Sequence, residues 1–251
     1  MNLKIGNLNI NYCVNECKNS KNYVLFLHGF GGSIKSFEGL QNSLSSSINT
    51  INLDLIGFGK SSKPPSHFSI YDYAEIVYQF LKMLNITKVT IVAHSFGGRI
   101  AIILASKYKE LVQKLALIDS AGLKPKFCLK TFLRIKQYKL LKTLVKLKIV
   151  NKKILNRFGS SDYKALSSDE KQVFNRIIKQ DLSYALKDIT SSTLIIWGKL
   201  DKDTPLYMAK KLNKYIINSG LIVFENAGHY SYLDEATKSL LILKSFLNLG
   251  E

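Results

Sequence analysis

One serine in this chain stands where an apolar strand gives way at once to a helix. The segment is Ala93-His94-Ser95-Phe96-Gly97-Gly98-Arg99-Ile100-Ala101, preceded by the strand-like run 89–93. A strand, a single serine and a helix make a nucleophile elbow. The turn is so tight that the residues two before and two after the serine must be small, and the hydroxyl is left exposed above the sheet. Ala93 and Gly97 meet that demand. The turn also aims the first backbone N–H of the helix, that of Phe96, at the place where negative charge develops on an attacked carbonyl. A second glycine-rich turn, His28-Gly29-Phe30-Gly31-Gly32-Ser33, follows the run 24–27. Beside a serine nucleophile, the amide of Phe30 is the expected second oxyanion donor. Nucleotide readings of these loops fail: a dinucleotide fingerprint needs glycine where Ile34 stands, and Gly59-Lys60-Ser61 lacks the earlier glycine of a phosphate loop, its place being Asp54.

A serine hydroxyl is a weak nucleophile near neutrality and needs a base oriented by a buried carboxylate. The chain has four histidines. His28 and His94 flank backbone turns and read as structural, and His67 lies in a Pro64-Pro65-Ser66 loop with no strand to position it. His229, in Asn226-Ala227-Gly228-His229-Tyr230, follows a strand and precedes the last helix, so it is the expected base. The expected acid is Asp201, in Trp197-Gly198-Lys199-Leu200-Asp201-Lys202-Asp203-Thr204-Pro205. Asp203 is its local rival and reads as the cap of the helix that starts near Pro205. Asp119, just after another strand, is a distant rival.

These side chains need a scaffold that brings strand ends together. Apolar runs at 24–27, 50–53, 89–93, 115–118, 194–197 and 221–224 alternate with amphipathic segments near 34–44, 71–84, 97–108, 206–217 and 234–247. That rhythm predicts an α/β fold with a mostly parallel central sheet flanked by helices. Residues 3–5 and 10–14 read as an antiparallel pair about a Gly6-Asn7 turn. The exception is 122–188, which reads as all-helical and inserted between two core strands, so that 1–121 and 189–251 form the core. Within it, Phe132, Leu133, Leu140, Leu141 and Leu144 make one apolar stripe expected to pack on the sheet domain. A Ser-Ser-Asp-Glu cap opens a further helix near 168–180. The expected strand ends carrying Ser95, Asp201 and His229 all fall at the carboxyl edge, where open α/β sheets gather their sites.

The 46% apolar content over 251 residues suffices for a large core, and no apolar run reaches membrane-span length. The N-terminus lacks the apolar stretch of a secretory signal, so a cytoplasmic location is expected. Three cysteines, Cys13, Cys17 and Cys128, suit neither a disulfide framework nor a zinc site, and buried free thiols are expected. The net charge of +18 raises nucleic acid or an anionic surface as a partner, but only four basic residues are Arg (Arg99, Arg134, Arg157, Arg176). Lysine, asparagine and isoleucine abundance is what A/T-rich codons produce, and no nucleic-acid partner is expected. From Ser120 to Ser161 there are ten Lys, two Arg and no acidic residue. The segment therefore either exposes solvated lysines or weakly attracts anionic substrates or membrane surfaces.

Taken in order, His28-Gly29-Phe30-Gly31, Asp54-Leu55-Ile56-Gly57-Phe58-Gly59-Lys60-Ser61, His94-Ser95-Phe96-Gly97-Gly98, Asp201 and His229 resemble the α/β-hydrolase superfamily over almost the whole chain outside the insertion. The one departure is Ala93 where the commonest elbow has glycine. The resemblance implies the α/β-hydrolase fold, a helical cap formed by 122–188, a structural turn at 54–61, and a Ser95, His229, Asp201 triad with Phe30 and Phe96 amides as oxyanion hole. It also implies hydrolysis of small carboxylic esters or thioesters without metal or organic cofactor. The same parts serve C–C hydrolases, aminopeptidases, lyases and slow-turnover small-molecule receptors. Haloalkane dehalogenases and epoxide hydrolases carry aspartate at the nucleophile, and Ser95 argues against both.

Overall fold

Strands buried on both faces, most of them largely apolar, lie in the middle of a covered sheet. In the computed structural model, which describes residues 1–126, 129–158, 163–164 and 166–249, this is the fate of β3 (Tyr23–Leu27), β4 (Asn49–Leu53), β5 (Val89–His94), β6 (Val112–Ile118) and β7 (Ser192–Gly198). All six residues of β5 are buried. Strand β4 is the exception in composition, burying Asn49, Thr50 and Asn52 beside Ile51 and Leu53. With β1 (Asn2–Ile5), β2 (Leu8–Asn15) and β8 (Ser219–Phe224) they form one eight-stranded sheet in the order β1-β2-β4-β3-β5-β6-β7-β8. The β1/β2 and β2/β4 pairs are antiparallel and the rest are parallel.

Alternation along the strands divides the core into two layers. Leu25 and Leu27 join one layer, with α2 (Ile70–Met83), α3 (Phe96–Lys107) and α6 (Tyr207–Tyr215), through residues such as Val77, Phe80, Ile100, Leu104 and Leu212. Val24 and Phe26 join the other, with α1 (Glu38–Leu44) and α7 (Ala236–Leu247), through Leu40, Leu44, Leu243 and Leu247. The chain passes from β3 outward to β4 and then back across β3 to β5. At such a reversal the loops leaving β3 and β5 diverge and open a crevice at the carboxyl edge. The register that sets Leu27 beside Ala93 brings the Phe30 loop and the Ser95 elbow out side by side.

The helices differ from the sequence expectation mainly at their ends. The single helix expected over 34–44 is a 3-10 turn, Ile34–Phe37, capped by the Ser33 hydroxyl, followed by α1. The helix expected over 234–247 is split by Glu235 into one turn, Ser231–Asp234, and α7, which ends on Asn248 in the left-handed conformation. Helix α2 is opened by Asp72, whose carboxylate accepts the Ser69 N–H at 2.7 Å.

Between β6 and β7 the described residues form α4 (Leu129–Lys146), a 3-10 turn Lys152–Arg157, α5 (Ser168–Ile178) and a 3-10 turn Ser183–Asp188. Helix α5 opens on a full capping box between Ser167 and Glu170. It is tied to the core where Arg99 donates to the carbonyls of Ile177, Ile178 and Gln180 at its C-terminal end. A cation there satisfies carbonyls the helix leaves open. Helix α4 corrects one expectation: of the stripe meant to pack inward, Leu141 and Leu144 are half-buried, while Phe132, Leu133 and Leu140 are exposed. The apolar residues lie in the helix as expected, but the helix presents part of that face to solvent. Cys13 and Cys17 are free thiols, the first half-buried and the second buried; Cys128 lies outside the described residues.

Candidate active site

The elbow is built from small residues and one strained one. Ser95 has φ 47° and ψ −110°, a conformation that non-glycine residues rarely adopt and that costs on the order of 1–3 kcal/mol unless its surroundings hold it. They do: the Ser95 N–H donates to the Ile118 carbonyl at 3.1 Å and the Ser95 carbonyl accepts from Ala121 at 2.9 Å. Gly97 lets α3 approach β3, since a Cβ there would lie 2.1 Å from the Leu27 carbonyl oxygen.

Around this serine the structure gathers His229 and Asp201 from loops 134 and 106 residues further along the chain. His229 Nε2 lies 2.9 Å from Ser95 Oγ, and His229 Nδ1 lies 2.8 Å from Asp201 Oδ2. Asp201 is held by four donors. Its Oδ1 accepts the Asp203 and Thr204 N–H groups at 2.8 and 2.9 Å, and its Oδ2 accepts the Thr204 hydroxyl at 2.6 Å as well as the imidazole. With Oδ2 acting only as an acceptor, Nδ1 carries the proton and Nε2 is left as the acceptor facing Ser95.

The electrostatics follow from those contacts. Burial works against ionised Asp201, yet the hydrogen bonds from His229 and Thr204 outweigh it and hold the carboxyl below its ordinary value. Burial likewise works against a charged His229, and Asp201, joined by the charges of Asp203 and Asp119, tips the balance so that the imidazole is raised above its usual value.

The rivals fall elsewhere. Asp203 is exposed and does not cap α6, whose first turn has no side-chain cap; it is Asp201 that caps the turn through its own Oδ1. Asp119 is fully buried, with Oδ1 accepting Gly198 N–H at 2.8 Å and Oδ2 accepting Ser231 N–H at 2.9 Å. Burial pushes it up to about 7. It ties the end of β7 to the turn after His229. His94 lies beneath the base and donates from Nε2 to the His229 carbonyl at 2.7 Å, and burial drives its pKa down to about 3. His28, lowered by burial to about 4, accepts the Leu55 N–H at 3.0 Å, and His67 is exposed. Asp54 is a structural brace, accepting from Asn11, Ile34 and Lys60, each at 2.7 Å.

Sequence reasoning did not single out Thr204, which donates to Asp201 and lies 3.3 Å from His229 Nδ1. The local signal was present, a hydroxyl three residues after the acid. Among the described residues, Asp201, Asp203 and His229 form the group whose ligand atoms lie within 4.8 Å of one another, as a metal would need. The hydrogen bonds on Asp201 and on Nδ1 occupy the atoms that would ligate. The rings of Phe30 and Phe96 are neighbours, with centroids 6.3 Å apart, and with Phe58 and Phe174 they form an apolar cluster on the residue that follows Ser95.

Comparison with known proteins agrees with this fold. Residues 22–148 match the family model described as alpha/beta hydrolase fold. The uncharacterized hydrolase YugF of Bacillus subtilis is 31% identical over 81% of each chain. A Pseudomonas putida protein named 2-hydroxy-6-oxononadienedioate/2-hydroxy-6-oxononatrienedioate hydrolase 1 is 26% identical over 96% of this chain and 93% of its own. Among solved structures, a membrane phospholipase A described as a bacterial virulence factor superposes with a TM-score of 0.80 at 24% identity, over 99% of this chain and 85% of that one. The chain therefore belongs to the alpha/beta hydrolase fold family, and its Pseudomonas putida relative is named a hydrolase.

Proposed function

We propose that this chain is a serine hydrolase of small carboxylic esters or thioesters that works through an acyl-enzyme. The observation that carries the reading is the chain of contacts from Ser95 Oγ to His229 at 2.9 Å and from His229 to Asp201 at 2.8 Å. His229 Nε2 takes the hydroxyl proton as Ser95 attacks the carbonyl carbon, and Asp201 stabilises the imidazolium that forms. The Phe30 and Phe96 amides hold the oxyanion while the His229 proton passes to the departing alcohol or thiol. Water then repeats the sequence on the acyl-Ser95 ester and frees the acid. Nucleophile, proton transfer and charge stabilisation are all supplied by the chain, so no metal or organic cofactor is assigned to the reaction. The apolar cluster of Phe30, Phe58, Phe96 and Phe174 next to the elbow supports an acyl group over a charged one.

A second reading, hydrolysis of a C–C bond next to a carbonyl, is favoured by the similarity to the Pseudomonas putida hydrolase. A chain-length series of activated esters and thioesters, run beside a vinylogous diketone, separates the two. Multiple turnovers on the esters with none on the diketone support the ester reading. Turnover of the diketone with esters left intact replaces it, and stoichiometric release from either would instead mark a receptor.

A further inference from the structure

Helix α4 presents to solvent a face that a helix packed on a protein core does not need. Its inner side is marked by Arg134 and Tyr138, which pack on the Phe158 ring at 5.8 and 5.3 Å, and by half-buried Leu141, Leu144 and Val145. On the opposite side Leu129, Leu133 and Leu140 are 61%, 57% and 61% exposed, and Phe132 is 42% exposed. At 3.6 residues per turn the three leucines fall on one stripe. Lys136 borders it, Phe132 lies about 80° round the helix, Lys139 and Lys146 follow on the same flank at about 100–120°, and Lys142 lies on the far side. Exposed Leu147 and Ile149 continue the apolar surface past the helix end.

The charge around this stripe is one-sided. Residues 120–161 hold +12 of the chain's formal +18. Among the described residues, none of Lys136, Lys139, Lys142 and Lys146 pairs with a carboxylate. An apolar stripe bordered by a field of lysines is the arrangement of a helix lying in the plane of a charged interface, its leucines at the acyl boundary and its ammonium groups among phosphates.

We propose that the outward face of α4 docks this protein onto an anionic phospholipid membrane. Charge complementarity selects an anionic partner, and the exposed leucines select a bilayer over a nucleic acid, whose backbone offers lysines a partner but leucines none. Among the described residues no helix is long and apolar enough to cross a membrane, so α4 acts at the surface and binds reversibly. This docking is independent of the Ser95 chemistry and would bring the site to a lipid interface.

The test is sedimentation of the full chain with vesicles of phosphatidylcholine carrying phosphatidylglycerol, against phosphatidylcholine alone. Binding is expected on the anionic vesicles at low ionic strength, with release as salt is raised. Leu133→Gln with Leu140→Gln leaves the net charge unchanged and is expected to lower partitioning at least about tenfold. Lys139→Gln with Lys142→Gln and Lys146→Gln is expected to do the same at low salt. All five positions are exposed, and an unchanged Tm and unchanged turnover of a short soluble ester check that the fold is kept. Ser95→Ala is expected to bind vesicles like the native chain, which separates this proposal from the hydrolase reading. Native protein that ignores anionic vesicles at low ionic strength overturns the proposal whatever the variants do. Binding lost by the lysine variant but kept by the leucine variant overturns it too, because that surface would recognise a polyanion such as nucleic acid.

Discussion

His229 stands between a donor and an acceptor that fix its tautomer. In the proposed reaction only neutral imidazole takes the Ser95 proton, so activity is expected to be absent in acid and to appear as pH rises through the His229 pKa. Because the three nearby carboxylates raise that pKa against the opposing pull of burial, the acid limb of kcat/KM is expected to bend above the ordinary histidine value of about 6.5. Asp203→Asn removes one of those charges and is expected to move the limb to lower pH while kcat at its plateau changes little. Asp201→Asn is expected to lower kcat by up to about ten-thousandfold, because an amide in its place favours the wrong tautomer. The ordering of the two variants, read from pH-rate profiles, checks the acid: an Asp203 variant as damaged as the Asp201 one would transfer the role. Ser95 was legible in the sequence because the elbow demands small neighbours, and Ala93 and Gly97 are local. Asp201 was legible from its place after a strand, though its second task, capping its own turn, was assigned to Asp203 because a helix-start pattern says that a cap is needed and not which of two aspartates turns inward.

At the scale of elements, the site is held by long-range clamps rather than by the loops themselves. Asp119 bridges the end of β7 and the turn after His229, contacts that span 79 and 112 residues. No periodicity encodes such a bridge, which is why the sequence offered Asp119 only as another acid. Asp119→Ala leaves two buried N–H groups without acceptors and is expected to cost about 2–5 kcal/mol in denaturant unfolding, with Asp119→Asn milder. An effect under about 0.5 kcal/mol would mean that the bridge carries no weight. Arg99 is the corresponding clamp on α5. Arg99→Ala is expected to speed hydrogen exchange over 168–180 while β5 and β6 stay protected, and equal protection in both proteins would show that α5 is held by its apolar face, Val173 and Ile177, alone.

The molecule as a whole has one strongly uneven property, the concentration of its positive charge between β6 and β7. If that field reaches the site, anionic esters gain from it and neutral ones do not, and the gain is screened by salt. KM for an anionic ester is therefore expected to rise several-fold from low to high ionic strength while KM for a neutral ester of the same length stays nearly constant; equal responses would confine the charge to the surface of α4. The mostly parallel sheet and the site at its carboxyl edge could be anticipated from alternating apolar runs, whereas the strand order could not, because it is set by long-range pairing. The orientation of α4 could not, because an amphipathic period defines a face without saying whether a core, solvent or a membrane lies against it.

The most direct test is turnover of a short activated ester by native and Ser95→Ala protein, with fluorophosphonate labelling of the same preparations. Multiple turnovers and a single labelled serine, in the peptide carrying Ser95, are expected for the native chain. No label and a kcat lower by about a millionfold, with the Tm unchanged, are expected for the variant. Full turnover by Ser95→Ala, or a label on any other serine, would contradict it.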